Sequence, residues 1–262
     1  DLNEAVKNIP KLGFVPTMGS LHKGHLSLIK RSIKDCDKTV VSIFVNPNQF
    51  NNKKDFKKYP RNINKDLSIL KKLNVNFVYI PNKNHVYGSK KITKIKLNKK
   101  DQILCAKHRK GHFEGVIHVM DSLTNLIKPK KIFMGEKDLQ QFYLVKKYIE
   151  KKYKCKIISC KTIRDNKRLA LSSRNLLLNN KQIKRARGLT NEIFKLKDQL
   201  KNKREIKRLI REKKTMLNKF FNINIEYLEL RNINNLELSN KTRNSKIFVA
   251  YYLDNIRLID NI

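Results

Sequence analysis

Two spacings of hydrophobic residues alternate along the first two thirds of the chain. Short runs rich in β-branched and aromatic residues, typical of strands buried on both faces, are found at 13–15, 39–45, 77–80, 131–134 and 155–160. Between these runs, apolar residues recur every three or four positions, most clearly over 26–33, 63–70 and 116–127. The alternation predicts an α/β fold, with a parallel sheet and flanking helices.

The pattern changes after about Asn175. Residues 180–221 contain two highly charged helical stretches, and three further strand patterns follow at 223–230, 246–253 and 256–259. This second part predicts a smaller α+β domain. We therefore expect a first domain over residues 1–175 and a small C-terminal domain over residues 176–262.

The amino-acid composition gives a strongly basic chain, but it is weak evidence for a binding partner. The 262 residues carry a formal net charge of +38, a value that usually indicates a nucleic acid or another anionic partner. Yet the chain contains 46 Lys, 30 Asn and 28 Ile against 14 Arg and 5 Ala. Lys, Asn and Ile have A/T-rich codons, so drift of the genome's base composition explains the excess of Lys without selection for nucleic-acid binding. The charge is also spread evenly along the chain rather than gathered on one segment. We therefore predict no specific nucleic-acid partner.

Cysteine usage and hydropathy favour a cytoplasmic protein. The four cysteines, Cys36, Cys105, Cys155 and Cys160, form no C-x-x-C pair, so free thiols fit better than a disulfide framework or a zinc ribbon. No run of 18 apolar residues exists, so no membrane-spanning helix is expected.

The first candidate site lies between the first strand and the first helix. The segment PTMGSLHKGH, residues 16–25, contains two of only eight glycines, and His22 and His25 stand three positions apart at the helix start. A strand–turn–helix junction of this kind offers free N–H groups and imidazoles to phosphate. A metal pair and two ordinary polar histidines are the alternatives, and the two-histidine pattern by itself does not separate the three.

Three other strand ends or loops carry polar chemistry. Asn46 and Gln49 follow the second strand, where their amides suit hydroxyl and carboxylate groups, although Asn-Pro also favours an ordinary turn. Residues 109–116, RKGHFEGV, form either a second anion site or a solvated loop. Residues 171–175, LSSRN, suit a phosphate clamp or a polar hinge.

The segment GEKDLQQ, residues 135–141, repeats the strand–glycine–helix arrangement. Lys137 is able to reach a phosphate as a point charge. Glu136 and Asp138 are expected to hold Lys137, to bind Mg²⁺ through water or to cap the helix. Gln141 lies one turn into the helix and is expected to point back towards the strand ends.

Taken in this order, the segments resemble the pantothenate synthetase (pantoate–β-alanine ligase) family of the HxGH adenylate-forming nucleotidyltransferase group. The matching blocks are PTMGSLHKGH, SIFVNPNQF, YPR (59–61), RKGHFEGV, GEKDLQQF, LALSSRN and RLIDN (257–261). The resemblance implies an ATP-dependent condensation of (R)-pantoate with β-alanine through pantoyl adenylate, which releases AMP and pyrophosphate. It also implies a Rossmann-like first domain that binds ATP and pantoate, and a small C-terminal domain that acts as a lid. Mg²⁺, a homodimer and about two dozen residues before Asp1, within the usual boundary error, are implied as well.

The resemblance also assigns roles to individual residues. His25 would be the proton donor, with His22 and Lys137 as further catalytic groups. Gln49 would bind both pantoate and β-alanine, and Gln141 would bind pantoate. The implied ATP-binding residues are Met18, Gly19, Ser20, Leu21, His22, Lys23, Gly24, His25, Gly135, Glu136, Lys137, Asp138, Ile163, Leu171, Ser172, Ser173 and Arg174. Asp66 is the nearest match to an acidic family position, so it is the candidate protein ligand for Mg²⁺.

Several positions depart from the family pattern. Cys105-Ala106 stands where Glu-Gly is usual, Lys110 where Pro is usual, and Asn166-Lys167-Arg168 replaces a turn that commonly ends in Gly. These departures lie beside the assigned residues, so they bear on loop geometry more than on reaction type. Two other functions remain open: a different HxGH nucleotidyltransferase with a phosphorylated substrate, and a non-catalytic nucleic-acid-binding protein.

Overall fold

The computed structural model describes residues 2–88, 95–201 and 203–262. The chain divides into two compact units: Asp1–Glu136 with Gln141–Lys161, and Lys137–Gln140 with Thr162–Ile262. Residues 162–175 and the short segment Lys137–Gln140 thus group with the second unit, whereas the sequence pattern assigned both to the first domain. The roles expected for the two domains stay predictions.

The first unit is built on a five-stranded parallel sheet in the order β3-β2-β1-β4-β5. Its strands are β1 (Leu12–Thr17), β2 (Lys38–Ile43), β3 (Phe77–Tyr79), β4 (Lys131–Gly135) and β5 (Lys156–Cys160). Val40 and Val41 on β2 are fully buried, as expected for neighbouring residues of a strand covered on both faces. With the antiparallel sheet described below, this architecture confirms the predicted fold class.

Helices and short 3-10 turns connect these strands. The helices are α1 (Leu2–Val6), α2 (Lys23–Asp35), α3 (Lys53–Lys58), α4 (Ile63–Lys72), α5 (Lys83–Tyr87), α6 (Leu104–His108), α7 (His112–Ile127), α8 (Leu139–Val145) and α9 (Lys151–Tyr153), with a π-helical stretch at Lys146–Glu150. The 3-10 turns are Pro47–Gln49, Lys99–Asp101 and Glu136–Asp138. On one face, Ile29 of α2 and Leu70 of α4 join Val15, Val41 and Phe133 of the sheet in one apolar core.

The strand order determines where a ligand would bind. Strand β1 lies at the centre, and the chain places β2 and β3 on one side of it before β4 and β5 fill the other side. In open parallel sheets, such a reversal leaves a crevice at the carboxyl ends of the central strands. The polar segments after β1 and β2 therefore lie at the edge where sheets of this kind bind ligands.

The second unit contains an antiparallel sheet and two long helices. After the 3-10 turn Ser173–Leu177 come α10 (Asn180–Gln199), α11 (Ile206–Phe221), β6 (Asn224–Asn232), β7 (Ser245–Leu253) and β8 (Ile256–Asn261). The strands pair in the order β6-β7-β8. Leu189 and Ile193 of α10, Leu217 of α11 and Ile247 and Val249 of β7 form part of its core.

Within the described ranges, none of the helices combines the length and the apolar character needed to cross a bilayer.

Candidate active site

The turn after β1 adopts a backbone conformation that its sequence explains. Gly19 has φ of +75° and Ser20 φ of +52°, so two consecutive residues lie in the left-handed region. A Cβ on Gly19 would approach Asp66 Oδ2 to 2.9 Å and Ile43 Cγ2 to 3.1 Å. Thr17 Oγ1 accepts a hydrogen bond from the Gly19 N–H at 3.2 Å and donates to the Ser42 carbonyl at 2.7 Å. Conformation and space therefore both require glycine at position 19.

Asp66 lies beneath this turn. Its Oδ2 accepts the Ser20 N–H and its Oδ1 accepts the Leu21 N–H, each at 2.8 Å. The residue is only 2% exposed. Over residues 2–88, 95–201 and 203–262, no group of three or more His, Cys, Asp or Glu side chains is arranged to hold a metal ion. Both oxygens of Asp66 thus bond the backbone of the turn, and its role as a Mg²⁺ ligand stays a prediction.

The two histidines form a capping box at the start of α2. His22 Nδ1 accepts the Gly24 N–H at 3.1 Å, and His25 Nδ1 accepts the His22 N–H at 3.3 Å. Because a ring nitrogen that accepts a hydrogen bond carries no proton, Nε2 is the protonated nitrogen of each neutral ring. The ring centroids are 4.1 Å apart. A Cβ on Gly24 would lie 2.7 Å from His22 Cε1, which explains the glycine between the histidines.

The amide of Gln49 has a defined orientation. Asn46 Oδ1 accepts the Asn48 N–H at 3.1 Å and the hydroxyl of Tyr87. Asn46 Nδ2 must then be the donor, and it bonds Gln49 Oε1 at 3.1 Å and the Gly115 carbonyl at 3.0 Å. Gln49 therefore has Nε2 as its remaining amide group, and this nitrogen contacts Met18 Sδ at 2.7 Å. The structure thus brings together the segments that follow β1 and β2.

The Tyr87 hydroxyl is well suited to this role as a donor. Burial raises the pKa of Tyr87 to about 12, so the phenol keeps its proton at neutral pH. The neighbouring His118 ring has its centroid 4.9 Å away, and burial lowers the pKa of that histidine. Sequence reasoning missed Tyr87, since nothing in the spacing of residues 83–87 marks its contact with Asn46.

The RKGHFEGV segment turns towards Gln49. Arg109 Nη2 donates to the Gln49 carbonyl at 3.0 Å, and His112 Nδ1 bonds the same oxygen at 2.6 Å. Arg109 Nη1 also contacts His112 Nε2 at 3.0 Å. A Cβ on Gly115 would lie 2.5 Å from the Asn48 carbonyl, so glycine lets α7 approach the 3-10 turn. This geometry favours a support for Gln49 over both a second anion site and a solvated loop.

The segment after β4 is less constrained. No atom lies within 4 Å of a Cβ built on Gly135, and this glycine has no positive φ. Glu136 Oε1 accepts the Ser159 hydroxyl at 2.8 Å within the first unit. Gln141 occupies the third position of α8 and is partly buried.

The other predicted ATP-binding residues belong to the second unit. Lys137 Nζ lies 3.3 Å from Asp138 Oδ1, and the Lys137 carbonyl accepts Asn261 Nδ2 at 2.9 Å. The Leu171 N–H donates to the Ile163 carbonyl at 3.0 Å, which joins the two ends of a short loop. The remaining members of this predicted set are the segment Ser172–Arg174.

Hydrogen bonds between residues close in sequence shape the loop 163–171 and the turn Ser173–Leu177 that follows it. Ser172 Oγ accepts the Arg174 N–H at 3.3 Å and caps the turn Ser173–Leu177. Asp165 Oδ1 accepts the backbone N–H groups of Lys167 and Leu169, both at 2.9 Å. Arg168 sits between them with φ of +72°. A non-glycine residue is strained in this conformation.

Comparison with known proteins adds an independent finding. A family model described as Pantoate-beta-alanine ligase matches residues 1–262. A pantothenate synthetase of Pseudothermotoga lettingae is 39% identical over 257 residues, which cover 95% of this chain and 90% of that protein. One from Flavobacterium psychrophilum is 39% identical over 259 residues, with coverages of 96% and 91%.

Solved structures are similar over the whole chain. Pantothenate synthetase from Thermus thermophilus superimposes with a TM-score of 0.91 at 28% identity, covering 100% of this chain and 96% of that one. Pantoate-beta-alanine ligase from Francisella tularensis, complexed with beta-gamma ATP and beta-alanine, gives a TM-score of 0.84 at 34% identity, with coverages of 100% and 94%.

Proposed function

The chain belongs to the pantoate–β-alanine ligase family over its whole length, and from that premise we propose how its residues carry out the reaction. It is an ATP-dependent ligase that joins the carboxyl group of pantoate to the amino group of β-alanine. The product, pantothenate, is a precursor of coenzyme A. The observation that carries the residue-level proposal is the histidine capping box, placed in the same unit as the oriented amide of Gln49.

In the first step, a pantoate carboxylate oxygen attacks the α-phosphorus of ATP, and pyrophosphate leaves. A carboxylate is a poor acyl donor, so adenylation supplies the leaving group that amide formation needs. We assign the Nε2–H groups of His22 and His25 to the phosphoryl oxygens, where negative charge develops. We also assign Lys137 to an ATP phosphate as a point charge, as the family resemblance implies.

The predicted proton-donor role of His25 takes a specific form in this geometry. A neutral ring that donates from Nε2 stabilises charge by hydrogen bonding, whereas full proton transfer needs the doubly protonated ring. A proton on Nδ1 would face the His22 N–H, which already donates to that atom. We therefore propose that His25 acts as a hydrogen-bond donor, and its role as a proton donor stays a prediction.

In the second step, the amine of β-alanine attacks the acyl carbon of pantoyl adenylate, and AMP leaves. We assign Gln49 to pantoate and β-alanine and Gln141 to pantoate. The orientation of Gln49 supports this assignment, because Nε2–H donors match carboxylate and hydroxyl oxygens. Catalysis then consists mainly of positioning and charge stabilisation, with no covalent enzyme nucleophile.

The proposal also covers the metal ion, the oligomeric state, the cellular location and the role of the C-terminal unit. We propose Mg²⁺ as the counter-ion of ATP, held chiefly by phosphate oxygens and water, a mode that Mg²⁺ commonly adopts. A homodimer and a cytoplasmic location are proposed from the family and from the free thiols. The C-terminal unit is proposed to act as a lid that excludes water from the acyl adenylate.

An omission assay tests the function. We expect AMP formation with ATP, Mg²⁺, pantoate and β-alanine, and its loss when pantoate or β-alanine is left out. Pyrophosphate release should require pantoate but not β-alanine, since adenylation comes first. Pyrophosphate release that depends on a phosphorylated acceptor instead of pantoate would assign the chain to another nucleotidyltransferase activity.

A further inference from the structure

We propose that Asp66 is a positioning residue, which holds the turn after β1 in its ligand-binding shape and thereby sets the affinity for ATP. The proposal rests on the function proposed above. It replaces the expectation, drawn from the family resemblance, that Asp66 is the protein ligand of Mg²⁺.

Both carboxylate oxygens of Asp66 are committed to the turn. Oδ2 accepts the Ser20 N–H and Oδ1 the Leu21 N–H, at 2.8 Å each, across 46 and 45 residues of chain. Bonds between a carboxylate and backbone N–H groups are stronger than neutral ones, and burial strengthens them further. One side chain thus fixes two successive peptide groups.

The turn needs such a support. Ser20 has φ of +52°, a conformation that costs a non-glycine residue free energy, and it follows Gly19 at +75°. Without the carboxylate, Ser20 would gain by returning to an extended or helical conformation. That change would displace Leu21 and the first residues of α2, which carry the histidine capping box.

Asp66 is carried by a rigid element. It lies in the first turn of α4, where Asn62 Oδ1 caps the helix by accepting the Lys65 N–H at 3.0 Å. One turn further, Leu70 is 1% exposed and contributes to the apolar core. A fixed helix therefore holds the carboxylate in place before ATP arrives.

The hydrogen bonds within the turn determine what it offers to a phosphate. The N–H groups of Ser20, Leu21, His22 and Gly24 already bond side chains. Phosphate recognition therefore falls to the imidazole Nε2–H groups and to the other N–H groups at the start of α2. Asp66 shapes this site without contacting the nucleotide.

Asp66→Asn is the first test, because asparagine keeps the size of the side chain and one acceptor oxygen. Its NH₂ group would oppose one of the two N–H donors. We expect the KM for ATP to rise about ten- to a hundredfold, the factor that corresponds to the loss of one charge-assisted hydrogen bond. The KM for β-alanine should stay near the wild-type value, and Asp66→Ala should have the larger effect.

Asp101→Asn is the matched control. Asp101 is also buried and bonds Lys147 Nζ through both oxygens, at 2.9 and 2.8 Å, in the same unit. We expect it to lower the melting temperature without changing the KM for ATP. If Asp66→Asn behaves in the same way, Asp66 is only a structural residue and the proposal is wrong.

Three measurements separate the remaining outcomes: amide hydrogen exchange, AMP formation by the wild type and the Mg²⁺ requirement of the variant. Amide hydrogen exchange of Ser20 and Leu21 should accelerate in Asp66→Asn but not in Asp101→Asn, whether or not the chain makes pantothenate. If the wild type forms no AMP but the two variants still differ in exchange in this way, the proposed function is wrong and the positioning role of Asp66 is retained. A variant that only requires more Mg²⁺, with unchanged exchange, would make Asp66 a metal ligand and overturn the proposal.

Discussion

Two turns of this molecule share the pattern strand–glycine–helix, yet they are built differently. In the turn after β1, glycine is required by a φ of +75° and by the 2.9 Å approach of Asp66 to a Cβ at that position. In the turn after β4, a Cβ on Gly135 would meet nothing within 4 Å, and φ is not positive. The first turn has a conformation held by buried side chains, whereas the second mainly carries charged ones.

If both turns bind phosphate as proposed, this difference assigns them different parts in that binding. Backbone N–H groups and imidazoles bind an anion through fixed geometry, so their support must be rigid. A lysine ammonium acts at a point, on a flexible stem, and tolerates a looser backbone. We infer that the first turn supplies shape and the second supplies charge, although both match the same sequence pattern.

Replacement of His25 should give the largest effect, because it removes a hydrogen-bond donor next to the rigid turn after β1. We expect His25→Ala to lower turnover by about 10²- to 10⁴-fold, the range for groups that donate a proton or hydrogen bond in the transition state. His85→Ala, at an exposed histidine of α5, is the control and should retain wild-type turnover. Steady-state AMP formation measures both.

His25→Gln distinguishes the two roles of this histidine. Glutamine offers an N–H donor but cannot transfer a proton at neutral pH, so partial recovery relative to His25→Ala supports hydrogen bonding. Two results together would instead establish proton donation. His25→Gln would be as inactive as His25→Ala, and wild-type turnover would fall with rising pH as one group loses its proton.

Much of the fold could be predicted because its cause is local. Strands buried on both faces appear as unbroken apolar runs, and all eight strand patterns became strands. The unit division was less predictable: residues 162–175 group with the second unit through contacts such as Arg164 with Asp260, at 2.6 Å across 96 residues. The spacing of hydrophobic residues along the chain does not predict a contact between residues so far apart in sequence.

The site was predictable only in part, for the same reason. His22, His25 and Gln49 stand where strands end, and that position marks them in the sequence. Their supports lie far along the chain: Tyr87 is 41 residues from Asn46, and His112 is 63 from Gln49. Spacing along one sequence does not reveal side chains that meet only in the folded protein.

Gly19→Ala and Gly135→Ala form a matched pair that tests the comparison directly. The methyl group at position 19 adds left-handed strain and a close contact, so we expect a loss of about 1–2 kcal/mol in the free energy of unfolding. At position 135 we expect a change within about 0.5 kcal/mol, because the added methyl group meets no neighbouring atom and no left-handed strain. Urea denaturation of both variants measures the difference, and equal losses would contradict the distinction between the two turns.

Removal of the Tyr87 hydroxyl should give the smallest effect, because it takes away one of two donors to Asn46 Oδ1. In Tyr87→Phe the Asn48 N–H still defines the Asn46 amide, so Gln49 keeps its orientation with less support. We expect kcat/KM for pantoate to fall less than tenfold, in line with about 1 kcal/mol for one hydrogen bond. Tyr153→Phe, which removes a hydroxyl bonded to Asp121 at 3.0 Å, is the control and should leave kcat/KM unchanged. If both variants lose the same activity, the effect is general destabilisation, and the rigidly supported region does not extend from the first turn to Gln49.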